Sequence, residues 1–244
     1  MILLGMDTSA VAASVALWED GRIIGESFVN ARLTHSQTIL PMTQNLLNAC
    51  GKDISQVDEF AVSVGPGSFT GLRIGISAVK GMAFGTGKRC VPVSTLEALA
   101  YLLIGQECIA VSAMDARCQQ VYAATFLVGR ESVQRLTEDA ALSIKQLWEQ
   151  LTEISSDLPL ILVGDGAQLC YNYCMKEGLP VRMAPANLRF QDAWGVARAA
   201  LDQARQGKLI TAGELAPEYH RLSQAERERL EREQEQTLNR TKGE

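Results

Sequence analysis

Residues Val57 to Gly85 read VDEFAVSVGPGSFTGLRIGISAVKGMAFG, and this stretch decides the fold class. It reads as strand, glycine turn and helix. Phe60 to Val64 is a short β-branched apolar run of the kind found in a buried strand. Gly65-Pro66-Gly67 ends it: Pro66 fixes its own φ and offers no N–H, while the glycines reach backbone shapes closed to other residues. Ser68 is a good N-cap for a helix over Phe69 to Phe84.

In that helix Leu72, Ile76, Val79 and Ala83 share one face. Gly71, Gly75, Ala78 and Met82 share the next, and Arg73, Ser77 and Lys80 supply the only polar stripe. Each interior glycine costs about 1 kcal/mol against alanine, so several in one helix imply a close approach by another backbone. A helix this apolar is buried on more than one side. One side belongs to its own sheet. The other is either a second internal element or another chain.

The glycine turn is a poor phosphate loop. Gly65, Gly67 and Gly71 are spaced one residue too long for the dinucleotide fingerprint, and no Lys-Ser/Thr pair follows as in a Walker loop. Gly67-Ser68-Phe69-Thr70-Gly71 is also not the G-x-S-x-G nucleophile elbow.

Working outward, Ile2–Met6, Ala13–Trp18 and Arg22–Phe28 form a meander whose first corner is Asp7-Thr8-Ser9. A helix follows Thr34-His35-Ser36 and carries Ile39, Met42, Leu46 and Ala49, with Pro41 either kinking it or marking its first turn. Gly51 closes it. Cys90–Val93 is a strand, and Thr95–Leu103 a helix capped by Ser94.

Then the pattern restarts at a constant offset. Met6-Asp7 aligns with Met114-Asp115, and Gly21-Arg22 with Gly129-Arg130. Strands at Ile109–Met114 and Val121–Val128 precede a helix at Ile144–Leu151. Leu160–Val163 is a strand that leads into Gly164-Asp165-Gly166, followed by a helix over Ala167–Glu177. Val181–Met183 is a short strand, and Gln191–Gln206 an amphipathic helix.

Two copies of one supersecondary unit imply two similar α/β lobes, over residues 1–106 and 107–222. The duplicated Asp-bearing corners and the late glycine turn give the layout of the actin/hexokinase/Hsp70 (ASKHA) fold. In ATPases of that fold the corners cradle phosphates and the late glycines pack on adenosine. Asp7, Asp115, Gly164 and Gly166 are therefore the cofactor-binding candidates, but weak ones. Asp115-Ala116-Arg117 lacks the glycines and hydroxyls that wrap a phosphate, and both aspartates also read as turn caps.

Composition narrows the function. The 244 residues are 47% hydrophobic, with net charge −5 and pI about 5.2. An acidic chain without a basic cluster is a poor nucleic-acid binder by itself. The six cysteines form no C-x-x-C pair and read as reduced core thiols. His35 and His220 are the two histidines, which leaves no H-x-x-x-H metal pair and no Ser-His arrangement. The short apolar start meets Asp7 too soon for a signal peptide, and no run approaches a membrane span, so the expected location is the cytoplasm. Residues 223–244 alternate in charge and read as a solvated tail.

Gly65-Pro66-Gly67-Ser68-Phe69-Thr70-Gly71-Leu72-Arg73-Ile74-Gly75 resembles the signature of the TsaB (YeaZ) family. So do Asp7-Thr8-Ser9, Thr34-His35-Ser36 with Leu40-Pro41, Met114-Asp115-Ala116-Arg117 with Val121-Tyr122, and Pro217-Glu218-Tyr219-His220-Arg221, where His220 replaces the usual leucine. The resemblance implies a non-catalytic subunit, without metal or cofactor, of the machinery that makes N6-threonylcarbamoyladenosine at position 37 of tRNAs reading codons that begin with A. The implied partners are the catalytic paralogue TsaD, the ATPase TsaE on the TsaB–TsaD pair, and a second copy when alone, with tRNA reached only through the complex. The partner face is expected at His35, Ile39, Met42, Leu46, Phe69, Gly71, Leu72, Arg73, Gly75, Ser77 and Ala78. The alternative is an ATP-dependent transferase or small-molecule kinase of the same fold.

Overall fold

A computed structural model describes residues 1–220. Arg221 and the charged tail over residues 223–244 lie outside the described residues. The first meander is β1 (Ile2–Asp7), β2 (Ala13–Glu19) and β3 (Arg22–Val29). Helix α1 (His35–Ala49), β4 (Glu59–Gly65), α2 (Phe69–Thr86), β5 (Arg89–Ser94) and α3 (Thr95–Tyr101) follow. The second half comprises β6 (Cys108–Asp115), β7 (Gln120–Val128), β8 (Val133–Arg135), β9 (Ala140–Ser143), α4 (Ile144–Thr152), β10 (Leu160–Val163), α5 (Ala167–Lys176), β11 (Arg182–Met183) and α6 (Ala193–Arg205).

The repeat is visible in the strand orders. The first sheet runs β3-β2-β1-β4-β5 and the second β11-β10-β6-β7-β8, so each half places its meander and its parallel crossovers in the same sequence. β1 is antiparallel to β2 and parallel to β4; β6 is antiparallel to β7 and parallel to β10. The third meander strand of the second half is divided, because β8 and β9 pair with opposite ends of β7. The sequence reading did not anticipate either piece.

The sheets and helices stack in five layers. Helices α1 and α2 cover the outer face of the first sheet through Ile39, Met42, Leu46, Leu72, Ile76 and Val79. Helices α4 and α5 cover the outer face of the second through Leu147, Leu151, Cys170 and Cys174. α3 and α6 lie between the sheets, one on each side, in sequence, of the expected cut near residue 106. α3 packs Leu96, Leu99 and Ala100 on the second sheet, whereas α6 packs Ala193, Val196 and Ala197 on the first. Small residues allow this. A side chain on Gly5 of β1 would lie 2.9 Å from the Ala193 carbonyl, and one on Gly195 would lie 2.2 Å from that of Ala98.

After α6 the chain also returns to the first half. Ile210 and Cys90 exchange hydrogen bonds of 2.8 and 2.9 Å, and Leu215 joins the outer core of the first sheet. Pro41 sits inside α1, so it does not mark the first turn. All six cysteines are free thiols. Among the described residues no helix is long and apolar enough to cross a membrane.

Candidate functional site: a closed corner and an open helical face

The first corner is closed by its own chain. Asp7 is 1% exposed. Its Oδ1 accepts from the Ser9 amide at 2.9 Å and the Ser9 hydroxyl at 2.8 Å, and its Oδ2 accepts from the Ser63 hydroxyl. Burial pushes its carboxyl above the usual range, against the pull of the Ser63 and Ser9 hydrogen bonds. Thr8 donates its hydroxyl to the Gly71 carbonyl at 2.8 Å, and the Ser68 amide donates to the Ser9 carbonyl at 2.7 Å. Ser68 caps α2 as expected, accepting from the Gly71 amide at 3.2 Å.

These contacts give the signature glycines a role inside the monomer. A Cβ on Gly67 would lie 2.5 Å from the Ser9 carbonyl oxygen, and one on Gly71 2.1 Å from that of Thr8. On Gly75 it would meet the Thr8 hydroxyl at 2.3 Å. The backbone that approaches this side of α2, where Gly71 and Gly75 were expected to meet a partner, is therefore that of residues 8–9.

The second corner does meet the late glycine turn. A Cβ on Gly166 would lie 2.9 Å from the Asp115 amide nitrogen, and one on Gly164 (φ +107°) 2.1 Å from the Ala113 carbonyl oxygen. Both glycines are thus taken up by packing on β6. Asp115 is exposed and caps its own turn, accepting from the Arg117 amide at 2.7 Å. Arg117, Cys118 and Gln119 continue that turn with φ of 64°, 54° and 57°. Asp165 is held by Gln191 at 2.8 Å, and burial raises its carboxyl. Among the described residues no three His, Cys, Asp or Glu side chains are grouped to hold a metal.

The expected partner face divides in two. Ile39, Met42, Leu46, Gly71, Leu72 and Gly75 are buried in the monomer. They pack on the sheet and on the Asp7 corner, although Ile39 still reaches the floor of the groove described next. His35, Phe69, Arg73, Ser77 and Ala78 are at least partly exposed. A groove of 560 Å³ runs between α1 and α2, lined by Ser36, Leu40, Thr70, Arg73, Ile74 and Ser77, with Ile39 and Ala78. Leu40 is 51% exposed there, and Phe84, farther along α2, is 68% exposed. Ile74, Ala78, Gly81 and Gly85 follow helical spacing along the outer side of α2, and none of the described residues lies within 4 Å of a Cβ placed on Gly81 or Gly85.

Comparison with known proteins places this architecture. A family model described as TsaD, tRNA N6-adenosine threonylcarbamoyltransferase, matches residues 29–228. The tRNA threonylcarbamoyladenosine biosynthesis protein TsaB of Escherichia coli (strain K12) is 31% identical over 225 residues, which is 91% of this chain and 95% of the relative. The chain belongs to the TsaB family. A solved Pseudomonas aeruginosa structure, described as similar to the peptidase YeaZ, superposes with a TM-score of 0.77 at 27% identity over 90% of this chain and 99% of that one. The wider fold is that of the ASKHA ATPases. The activator of 2-hydroxyisocaproyl-CoA dehydratase from Clostridium difficile, solved with bound ADPNP, gives a TM-score of 0.50 at 10% identity, covering 85% of this chain and 97% of that one.

The TsaB-type ending at Pro217-Glu218-Tyr219 proves to be part of the site, which sequence reasoning did not foresee. The Glu218 amide donates to the Val64 carbonyl at 2.8 Å, directly over the glycine turn. Tyr219 stacks on Phe69 with ring centroids 4.5 Å apart, and its hydroxyl accepts from Arg73 Nε at 2.8 Å. Two of the exposed partner-face candidates are therefore held by the chain's own strap. His35 is anchored through Nε2 to the Ala10 carbonyl at 2.7 Å. His220 is exposed beside the strap.

Proposed function

We propose that this TsaB-family chain works in tRNA threonylcarbamoyladenosine biosynthesis as an accessory subunit without its own catalytic centre. The observation that carries the reading is the closed first corner. Where an ATPase of this fold offers amides and hydroxyls to a phosphate, Asp7, Thr8 and Ser9 are hydrogen-bonded to Ser63, Ser68 and Gly71. A catalytic carboxylate has to reach its substrate or metal, and Asp7 is 1% exposed to water.

The exposed stripe of α2 and the α1–α2 groove support docking on TsaD in the cytoplasm, with self-association through the same face when TsaD is absent. Exposed apolar surface of this kind marks an interaction site, and small residues let helices approach closely. TsaE then engages the TsaB–TsaD pair, and tRNA is bound through the complex, as befits a chain of net charge −5. The alternative, an ATP-dependent transferase or kinase, would need an open phosphate corner. The test is reconstitution of the tRNA modification with TsaD and TsaE, with and without this chain, beside calorimetry of the isolated chain with Mg-ATP. Modification that requires the chain, and no heat of nucleotide binding, is the expected result. Turnover of ATP by the chain alone would overturn the proposal.

A further inference from the structure

On the inner side of the first sheet, away from the α1–α2 face, a second cavity of 440 Å³ opens beside the C-terminal half of α6. Strand register builds one wall. Trp18 of β2 and Glu59 of β4 both pair with Leu3 of β1, so the three side chains form a row across the sheet on the face that α6 covers. With strands about 4.8 Å apart, the indole and the carboxylate are separated by roughly 10 Å. Helix α6 builds the other wall with Arg198, Leu201, Ala204 and Arg205.

The polar groups of this cavity are incompletely matched. Trp18 is 9% exposed, and its Nε1 has no hydrogen-bond partner among the described residues. Glu59 Oε2 is shielded from water and also without a partner among the described residues. Burial, and then the neighbouring Asp58, raise the Glu59 carboxyl above its usual range. Asp20, the other acid in the lining, is taken by the Met1 amine at 2.6 Å. On the helix wall, Asp202 serves both Arg198 at 2.9 Å and Arg205 at 3.3 Å. Two guanidinium groups facing one carboxylate leave a positive charge in surplus. The volume falls in the range of small-molecule sites, and an apolar lining with a few convergent polar groups is their usual character.

We propose that this cavity binds a free α-amino acid with an apolar side chain. Its ammonium group meets Glu59, its carboxylate bridges Arg198 and Arg205, and its side chain lies against Trp18 and Leu201. Both charged ends of such a ligand find an opposite charge, and the apolar end finds the floor. A simple carboxylic acid or a simple amine would satisfy one wall only.

The test is calorimetry on the full chain with L-leucine as the probe, beside 4-methylpentanoate and 3-methylbutylamine as half-ligands. L-Leucine is expected to saturate, with each half-ligand at least about tenfold weaker, the usual scale for one charge-assisted hydrogen bond. Glu59→Gln should weaken L-leucine about tenfold while leaving 4-methylpentanoate unchanged. Arg205→Ala, at a side chain 74% exposed and safe for folding, should weaken L-leucine and 4-methylpentanoate but not the amine. No saturable heat up to about 20 mM L-leucine, half-ligands that bind as well as the whole, or a Glu59→Gln variant with wild-type affinity would each overturn the proposal.

Discussion

Gly71→Ala and Gly81→Ala, made ten residues apart in one helix, separate packing inside the monomer from contact with a partner. In both, alanine recovers about 1 kcal/mol of helix propensity. At Gly71 the new Cβ would lie 2.1 Å from the Thr8 carbonyl oxygen, a backbone atom tied in turn to the Asp7 corner. Real Cβ contacts of that length do not persist, so α2 or β1 must shift, and such overpacking costs typically 1–3 kcal/mol or more. Because the obstacle is backbone and cannot swing aside, the cost falls at the upper end of that range, and the net effect of Gly71→Ala is a loss of roughly 2 kcal/mol. For a chain of this size each kcal/mol moves Tm by about 2–4 °C, so it should melt several degrees lower. At Gly81 none of the described residues lies within 4 Å of the new Cβ, and Tm should rise by about 2–4 °C. Thermal melting by circular dichroism reads both. Sedimentation of each variant, alone and with TsaD, reads the partner: Gly81→Ala should weaken association while stabilising the fold. If Gly71→Ala melts like the wild type and yet loses association, the glycine-corner packing is wrong and the signature glycines do face another chain.

Ser77→Trp, at an exposed position in the α1–α2 groove, should leave the far-ultraviolet spectrum intact and reduce association at least about tenfold in sedimentation, the scale of losing one interface anchor. Asp7→Asn keeps an acceptor toward Ser9 and gains a donor toward Ser63. Because burial raises the Asp7 carboxyl, the wild type has its full stability below the unfolded value near 3.8 and loses part of it as pH rises through the raised value. The variant should therefore gain on the wild type in Tm as pH is raised from 3.8 upward, and the opposite trend would refute a buried, raised carboxyl. Tyr219→Ala removes the stack on Phe69 and the hydroxyl partner of Arg73, at a cost of about 1 kcal/mol that appears as a Tm lowered by roughly 2–4 °C.

Much of the architecture was legible because the repeat is written in the elements themselves. Strand, Asp corner and strand recur, and both sheets obey that order. The stretch from Phe60 to Gly85 was legible for the same reason: a β-branched run, a turn that only glycine and proline suit, and a capping serine are local signals. Periodicity also grouped Gly71 with Gly75 correctly, but it reports which residues share a face, not what covers that face. The covering residue, Thr8, is distant in sequence and carries no mark of the contact. Gly81 and Gly85, which do face outward, look no different in the chain. The short β8 and β9 escaped because Val133–Arg135 is too brief to show alternation and Ala140–Ser143 is rich in helix formers. The strap at Glu218–Tyr219 was readable as a family motif, whereas its seat on Phe69 and Arg73 required the fold.

The exchange of α3 and α6 between the sheets has a consequence for any attempt to divide this molecule. Severed near residue 106, the leading fragment would own a β-sheet whose inner cover had left with the trailing fragment, and the trailing fragment would suffer the reciprocal loss. Each would expose a broad greasy plane and fail to stand by itself. Expressed together from separate transcripts, the two pieces would be obliged to find one another, so a split reporter built at this junction would register their reunion.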